Sequence, residues 1–262
     1  MTPRQDEEFP WWLVILGITG LWLGYEVWAS DIYSQVMAAL VKGIGVTVAV
    51  TLVAYVSACL IGLGLALAGL SRRRWLRQTA RLYIEIIRGV PIMVLLLYVA
   101  FVLAPAMVTA WNWVTVPLGL DPMKARDFPL IARAVMALTL AYSAFLAEIF
   151  RAGLQSVEKG QIEAAMSLGL SGWQRFRLIV FPQAFRTVLP PLGNDFVAMV
   201  KDSSLVSILG VADITQIGKV MAAGNFRYFE TYNMVALLYL VMTVGLSLLL
   251  RRVERRLKVA ET

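Results

Sequence analysis

Residues 44–70 run for 27 positions without a charged side chain. At about 1.5 Å per residue a helix of that length reaches roughly 40 Å, more than the ~30 Å hydrocarbon core of a bilayer. A helix this apolar on every side has no polar face to offer water, so lipid must solvate part of it. Further apolar stretches lie at 11–28, 82–108, 130–152, 190–209 and 232–250, giving about six candidate spans. Backbone N–H and C=O groups in lipid need internal partners, which favours an all-α integral membrane fold. Composition agrees, with 59% hydrophobic residues against a usual 45–50% or so in soluble domains.

The basic residues set the orientation. Arg72, Arg73, Arg74, Arg77 and Arg81 crowd the 71–81 linker. Arg151, Lys159, Arg175, Arg177 and Arg186 occupy 151–186, and Arg251, Arg252, Arg255, Arg256 and Lys258 follow the last apolar run. The alternate linkers, 29–35, 109–129 and 210–231, are poorer in Lys and Arg. By the positive-inside rule both termini are expected in the cytoplasm. The net charge of +7 therefore reads as membrane anchoring, and nucleic acid is not an expected partner. The 210–231 linker has apolar residues at helical spacing and is expected to form a short outer helix. The start of the 36–70 region, near Lys42, is expected to tilt or to lie along the surface. Pro91 is expected to bend the third span, and Pro190-Pro191 to break the fifth.

Several chemistries are excluded. There is no histidine, and Cys59 is the only cysteine, so no intrachain disulfide can form. No G-x-x-x-x-G-K-[ST] phosphate loop occurs. The acidic start, 2–9, leads into an apolar run without a small-residue cleavage site, which reads as an uncleaved span.

The 151–186 linker contains Gly160-Gln-Ile-Glu-Ala-Ala-Met-Ser-Leu-Gly169 followed by Leu-Ser-Gly-Trp-Gln-Arg-Phe-Arg-Leu-Ile179-Val-Phe-Pro182. Small Ala164 and Ala165 would let another protein approach the helix backbone. Gly169 can end the helix left-handed, and Glu163 suits a helix N-terminus. With Pro182 these residues resemble the E-A-A-x3-G-x9-I-x-L-P loop of bacterial binding-protein-dependent ABC importers, Phe181 replacing Leu. Three other stretches resemble the permeases of the histidine- and glutamine-type polar amino-acid family. They are Tyr83-Ile-Glu-Ile-Ile-Arg-Gly-Val-Pro91, Ala147-Glu-Ile-Phe-Arg-Ala-Gly-Leu-Gln-Ser-Val157 and Leu189-Pro-Pro-Leu-Gly-Asn-Asp-Phe-Val-Ala-Met-Val-Lys-Asp-Ser-Ser-Leu205.

The resemblance implies a five-helix permease domain at 36–250 with a cytoplasmic coupling loop at 160–182. An extra N-terminal span at 1–35 precedes it, and a basic tail at 251–262 follows. It implies a bacterial inner-membrane location and a second permease subunit, identical or homologous. It also implies two cytoplasmic ATPase subunits and a periplasmic amino-acid-binding protein. No cofactor is expected in this chain, since ATP and magnesium would sit on the ATPase partners.

Ionisable residues inside a membrane are costly and need a reason. Glu85 and Arg88, and likewise Glu148 and Arg151, are three apart on their helices and read either as ion pairs or as gating groups. Asp195, Lys201, Asp202, Ser203 and Ser204 lie in the fifth span. Their charges match the ammonium and carboxylate of an amino acid, and they equally suit a network that holds helices together. Tyr142 and Ser143 either line the same path or pack helices. A membrane enzyme would need a catalytic constellation that this composition does not offer. A transporter driven by an ion gradient alone would have no use for an Ala-rich docking loop.

Overall fold

The computed structural model describes residues 11–259, and all regular elements among them are helical. The acidic start at 2–9 and the last residues of the basic tail lie outside the described residues. Helix α1 (Trp11–Ala29) is followed at Ser30, which is extended, by α2 (Asp31–Gly69). The 39 residues of α2 form one helix that runs through Lys42 without a break. Its first turns stay helical because Tyr33, Val36 and Leu40 are buried against later helices.

The third apolar stretch departs from expectation. Pro91 separates two helices rather than bending one. Val90 is extended (φ −103, ψ 130), as a residue before proline tends to be. Before it lies α3 (Arg74–Gly89), which carries a strong apolar-to-charged asymmetry and at 16 residues is not among the helices long and apolar enough to cross a membrane. After it come α4 (Ile92–Tyr98), a π-helical turn at 99–103 and α5 (Ala104–Thr115). The span is thus Ile92–Leu118, about ten residues later than the sequence reading placed it. It carries Trp111 and Trp113, which fall inside the expected 109–129 linker.

Helix α6 (Leu130–Gln155) is the fourth span. Then come α7 (Lys159–Ser167), α8 (Gly172–Arg175), a second π turn at 176–180 and α9 (Phe181–Asp202). Each π turn lies just before a proline, Pro105 or Pro182. A proline ring clashes with the carbonyl four residues back. In both cases that carbonyl falls inside the wider π turn, which relieves the clash. Pro190 and Pro191, in contrast, sit inside α9 without a break, a second correction. Close packing on both sides holds α9 there: Val188 lies against Gly153 of α6, and Gly193 against Leu250.

Residues 203–209 continue as a 3₁₀ helix to Gly210, whose φ of 80° needs glycine. The axis then bends by 49° into α10 (Ile214–Asn225), the short outer helix expected at 210–231. The last described helix is α11 (Tyr228–Val259), so much of the basic tail continues a helix. Among the described residues four helices are long and apolar enough to cross a membrane, with a fifth if the bent 172–225 pair counts as one span, and the apolar part of α1, Leu13–Ala29, is shorter.

The main core forms where α2 and α6 lie against each other, with Val50, Ala54 and Ala58 meeting Leu138, Ala141 and Leu146. Small residues bring the backbones close: a Cβ on Gly62 would stand 3.0 Å from the Ser143 carbonyl. A second cluster joins α1, α2, α10 and α11 through Leu23, Val36, Leu40, Ile214 and Met234.

Candidate functional site

Three places carry the residues singled out in the sequence. The first is the α7–α8 segment. Its turn is closed by backbone bonds alone. Gly169 N–H donates to the Met166 carbonyl (2.9 Å), and Leu170 N–H to the Ala165 carbonyl (3.1 Å). That pair of bonds requires a left-handed residue, and Gly169 has φ +75°. Ser171 then opens α8 with a reciprocal cap. Its Oγ accepts from Gln174 N (3.3 Å), while Gln174 Oε1 accepts from Ser171 N (2.8 Å). Gln183 Nε2 donates to Gln161 Oε1 (2.7 Å) and ties α7 to α9.

Glu163 and Ala164 are exposed on α7, but Ala165 is buried within the chain, so the two alanines do not share a role. The acidic residue at the helix start is Glu158, the N-cap. Glu163 lies mid-helix, one turn further than its proposed N-terminal role requires. Apolar side chains stand out around the turn: Leu168 is 80% exposed, and Met166 and Trp173 are also exposed. Pro182, exposed at the start of α9, follows the π turn.

The second place lies between α6, α9 and α2. Tyr142 Oη donates to Asp202 Oδ2 (2.8 Å), at the last residue of α9 before the 3₁₀ stretch. Tyr55 Oη donates to the Leu192 carbonyl (2.6 Å), and its ring lies 4.8 Å from that of Phe196. Asp195, on the same helix as Asp202, is half-buried. The remaining candidates do not converge here. Lys201 is exposed. Ser203 is fully buried and donates to the Val200 carbonyl of its own helix, and Ser204 is half-buried. Ser143 faces α3, bonded to Tyr83 Oη (2.7 Å).

The third place is a cleft of about 340 Å³ where α2, α3 and α6 end together. It gathers Glu85, Arg88, Glu148 and Arg151. Arg151 pairs with Glu148 at 2.5 Å and reaches Gln155 Oε1 at 2.8 Å. Among the described residues Glu85 and Arg88 are not in ion-pair contact, so the first of their two readings does not hold within this chain. The Arg88 guanidinium lies over the Phe145 ring, 5.7 Å from its centre.

Tyr55 and two further polar residues escaped the sequence reading. Arg133 on α6 is 7% exposed. It donates to the carbonyls of Phe128, Ala100 and Ala125, and Ala100 belongs to the first π turn. Asp213 is fully buried and caps α10, accepting from Gln216 N (2.8 Å) and Tyr239 Oη (3.1 Å). An arginine among apolar residues and an Asp-x-x-Gln cap pattern were the available signals.

Comparison with known proteins places these sites in context. Residues 60–259 match the family described as binding-protein-dependent transport system inner membrane component. The glutamine transport system permease protein GlnP of Escherichia coli is 38% identical over 223 residues, covering 84% of this chain and 93% of its own. The probable amino-acid permease protein YxeN of Bacillus subtilis is 38% identical over 216 residues, covering 82% and 90%. A crystal structure of an amino acid ABC transporter with histidines superposes with a TM-score of 0.72. It shares 36% identity over 85% of this chain and 96% of that one. The MetNI methionine ABC transporter, inward facing, gives a TM-score of 0.65 at 23% identity over 84% and 97%, a likeness of fold.

Proposed function

The chain belongs to the binding-protein-dependent inner-membrane transport family as the permease component of an amino-acid ABC importer, and from that premise we propose how it works. It moves polar amino acids inward by alternating access, driven by ATPase subunits that dock on the α7–α8 segment. The observation that carries this reading is the segment itself. Its turn is closed at Gly169, yet it exposes Ala164, Met166, Leu168 and Trp173 with nothing among the described residues to cover them. A small residue flanked by apolar ones on a fixed turn suits a groove in a partner protein.

Two permease subunits, identical or homologous, two ATPases holding ATP and magnesium, and a periplasmic binding protein would complete the machine. The chain itself holds no nucleotide and performs no covalent step. ATP binding draws the ATPases together, α7 moves with them, and the bundle opens outward. Hydrolysis then restores the inward-facing form. Within the bundle, the Asp202–Tyr142 pair and Asp195 supply the negative side of a path for an ammonium group. Relatives described as transporting glutamine and L-cystine support polar substrates.

The test is uptake into proteoliposomes of the permease with its ATPases and binding protein. Glutamine and histidine uptake should require ATP and fail without the ATPase. Uptake driven by an ion gradient with the ATPase removed would refute the proposal. The proposed orientation has both termini in the cytoplasm, so a periplasm-active reporter fused after Thr262 should stay silent. Activity there would reverse the topology.

A further inference from the structure

Helix α3 presents three different faces. Ala80 and Ile84 are buried against its neighbours. Trp75, Leu82 and Ile86 form an exposed apolar edge, 63%, 62% and 55% accessible. Arg74, Arg81, Glu85 and Arg88 form an exposed charged edge beside it. Such a helix fits the boundary between acyl chains and headgroups, with each edge in its own medium. Its charged edge opens onto the 340 Å³ cleft, whose walls are the last turns of two spans, ending at Gly69 and Gln155. A cleft between the last turns of two spans suits headgroup depth.

Inside it, three guanidiniums, from Arg81, Arg88 and Arg151, face two carboxylates, from Glu85 and Glu148. Glu148 is taken by Arg151. Neither Arg81 nor Arg88 lies within ion-pair distance of a carboxylate among the described residues. A cleft with surplus arginine, polar walls and an apolar rim calls for an anion attached to an apolar body. Guanidinium groups recognise phosphate oxygens through paired N–H donors.

We propose that the α2–α3–α6 cleft binds the phosphate headgroup of an anionic phospholipid, whose acyl chains run along Trp75, Leu82 and Ile86. Phosphate is the recognised chemistry, the surplus guanidinium charge selects a headgroup with net negative charge, and a lipid is the source that the apolar edge favours. The site stands apart from the α7–α8 segment and from the Asp202 cluster. It would make the transporter responsive to the anionic lipid content of the inner leaflet.

The experiment uses the whole transporter, purified with its ATPases in mild detergent, and counts bound lipid by native mass spectrometry. Phosphatidylglycerol should be retained over phosphatidylcholine. Arg81→Gln should weaken phosphatidylglycerol binding roughly fivefold, and Arg81→Gln with Arg88→Gln about 25-fold. Arg72→Gln, outside the cleft, should change it less than about twofold. Millimolar inorganic phosphate should not displace the lipid. Equal retention of the two lipids would overturn the proposal. So would an equal loss with Arg72→Gln, which would mean a diffuse field, or displacement by phosphate, which would make the ligand a free anion. Should the double variant fail to assemble, Arg81→Gln alone decides the matter.

Discussion

The α7–α8 segment and the bundle core are built on opposite plans. The segment closes on itself: every bond that shapes its turn joins residues within five positions of each other. The core is made of meetings between distant parts of the chain. Tyr142 reaches Asp202 across 60 positions, and Tyr55 reaches Leu192 across 137. A self-contained turn keeps its shape while its exposed side chains serve another protein. A core of distant meetings holds or opens as a whole. Perturbing the core should therefore cost stability, and perturbing the segment should cost coupling.

The largest effect is expected in the core at Gly43. A Cβ there would stand 2.6 Å from Ile214 N and 2.8 Å from the Asp213 carbonyl carbon. Both are backbone atoms of the α10 start and cannot rotate away. Gly43→Val should destabilise the protein by about 3 kcal/mol, the upper end for overpacking. Gly45, two residues on, meets nothing within 4 Å. Gly45→Val should insert normally and keep the wild-type melting temperature in detergent. Equal melting temperatures for the two variants would show that α10 is not held against α2 as described.

Second in size is Gly169→Val. The left-handed backbone at φ +75° costs a β-branched residue about 2 kcal/mol. If that strain falls on the docked conformation, ATPase association drops roughly 30-fold, since each 1.4 kcal/mol is tenfold. No core contact involves Gly169, whose added Cβ would meet only open space. Insertion and melting temperature should match wild type while the ATPase is lost on co-purification. A variant that melts early with its ATPase still bound would erase the contrast between segment and core.

Third is Tyr142→Phe. It removes the donor to Asp202, half-buried on α9, and should cost about 1–2 kcal/mol. Amino-acid uptake should fall several-fold with the complex intact. Lys201→Met, exposed on another side of α9, should have the smaller effect. A larger loss from Lys201→Met would move the polar path to that side of the helix.

What the sequence disclosed follows the same division. The turn at Gly169 was legible because its causes are local: a glycine follows a short helix, and a Ser-x-x-Gln cap comes right after it. Asp202 was legible as a costly charge, but its partner was not, because no pattern links positions 142 and 202. The two prolines of α9 misled for the same reason. Proline breaks a helix by local rules, and only packing against Gly153 and Leu250 shows why this helix continues. The α3 charged edge was visible as arginines at helical spacing. It was absorbed into a span because apolar Leu82–Ile87 runs toward Pro91, and hydropathy alone does not separate an interfacial helix from the start of a crossing one.

The smallest effect separates a turn's closure from its cap. In Ser171→Ala one of the two reciprocal bonds is lost, the longer one at 3.3 Å, while Gln174 Oε1 can still accept from the residue 171 N–H at 2.8 Å. The freed Gln174 N–H is at an exposed position, where water can replace the hydroxyl. The loss should therefore stay near the low end for N-cap removal, about 0.5–1 kcal/mol. The Gly169 turn precedes Ser171 and depends on bonds from residues 169 and 170 to α7, so it should persist. Hydrogen exchange should rise about two- to fivefold in α8 and remain unchanged in α7, and ATPase co-purification should be nearly normal. If Ser171→Ala lost the ATPase as fully as Gly169→Val, the docking surface would depend on the direction of α8 rather than on the turn. The exposed Trp173 on α8 would then be the contact to test next.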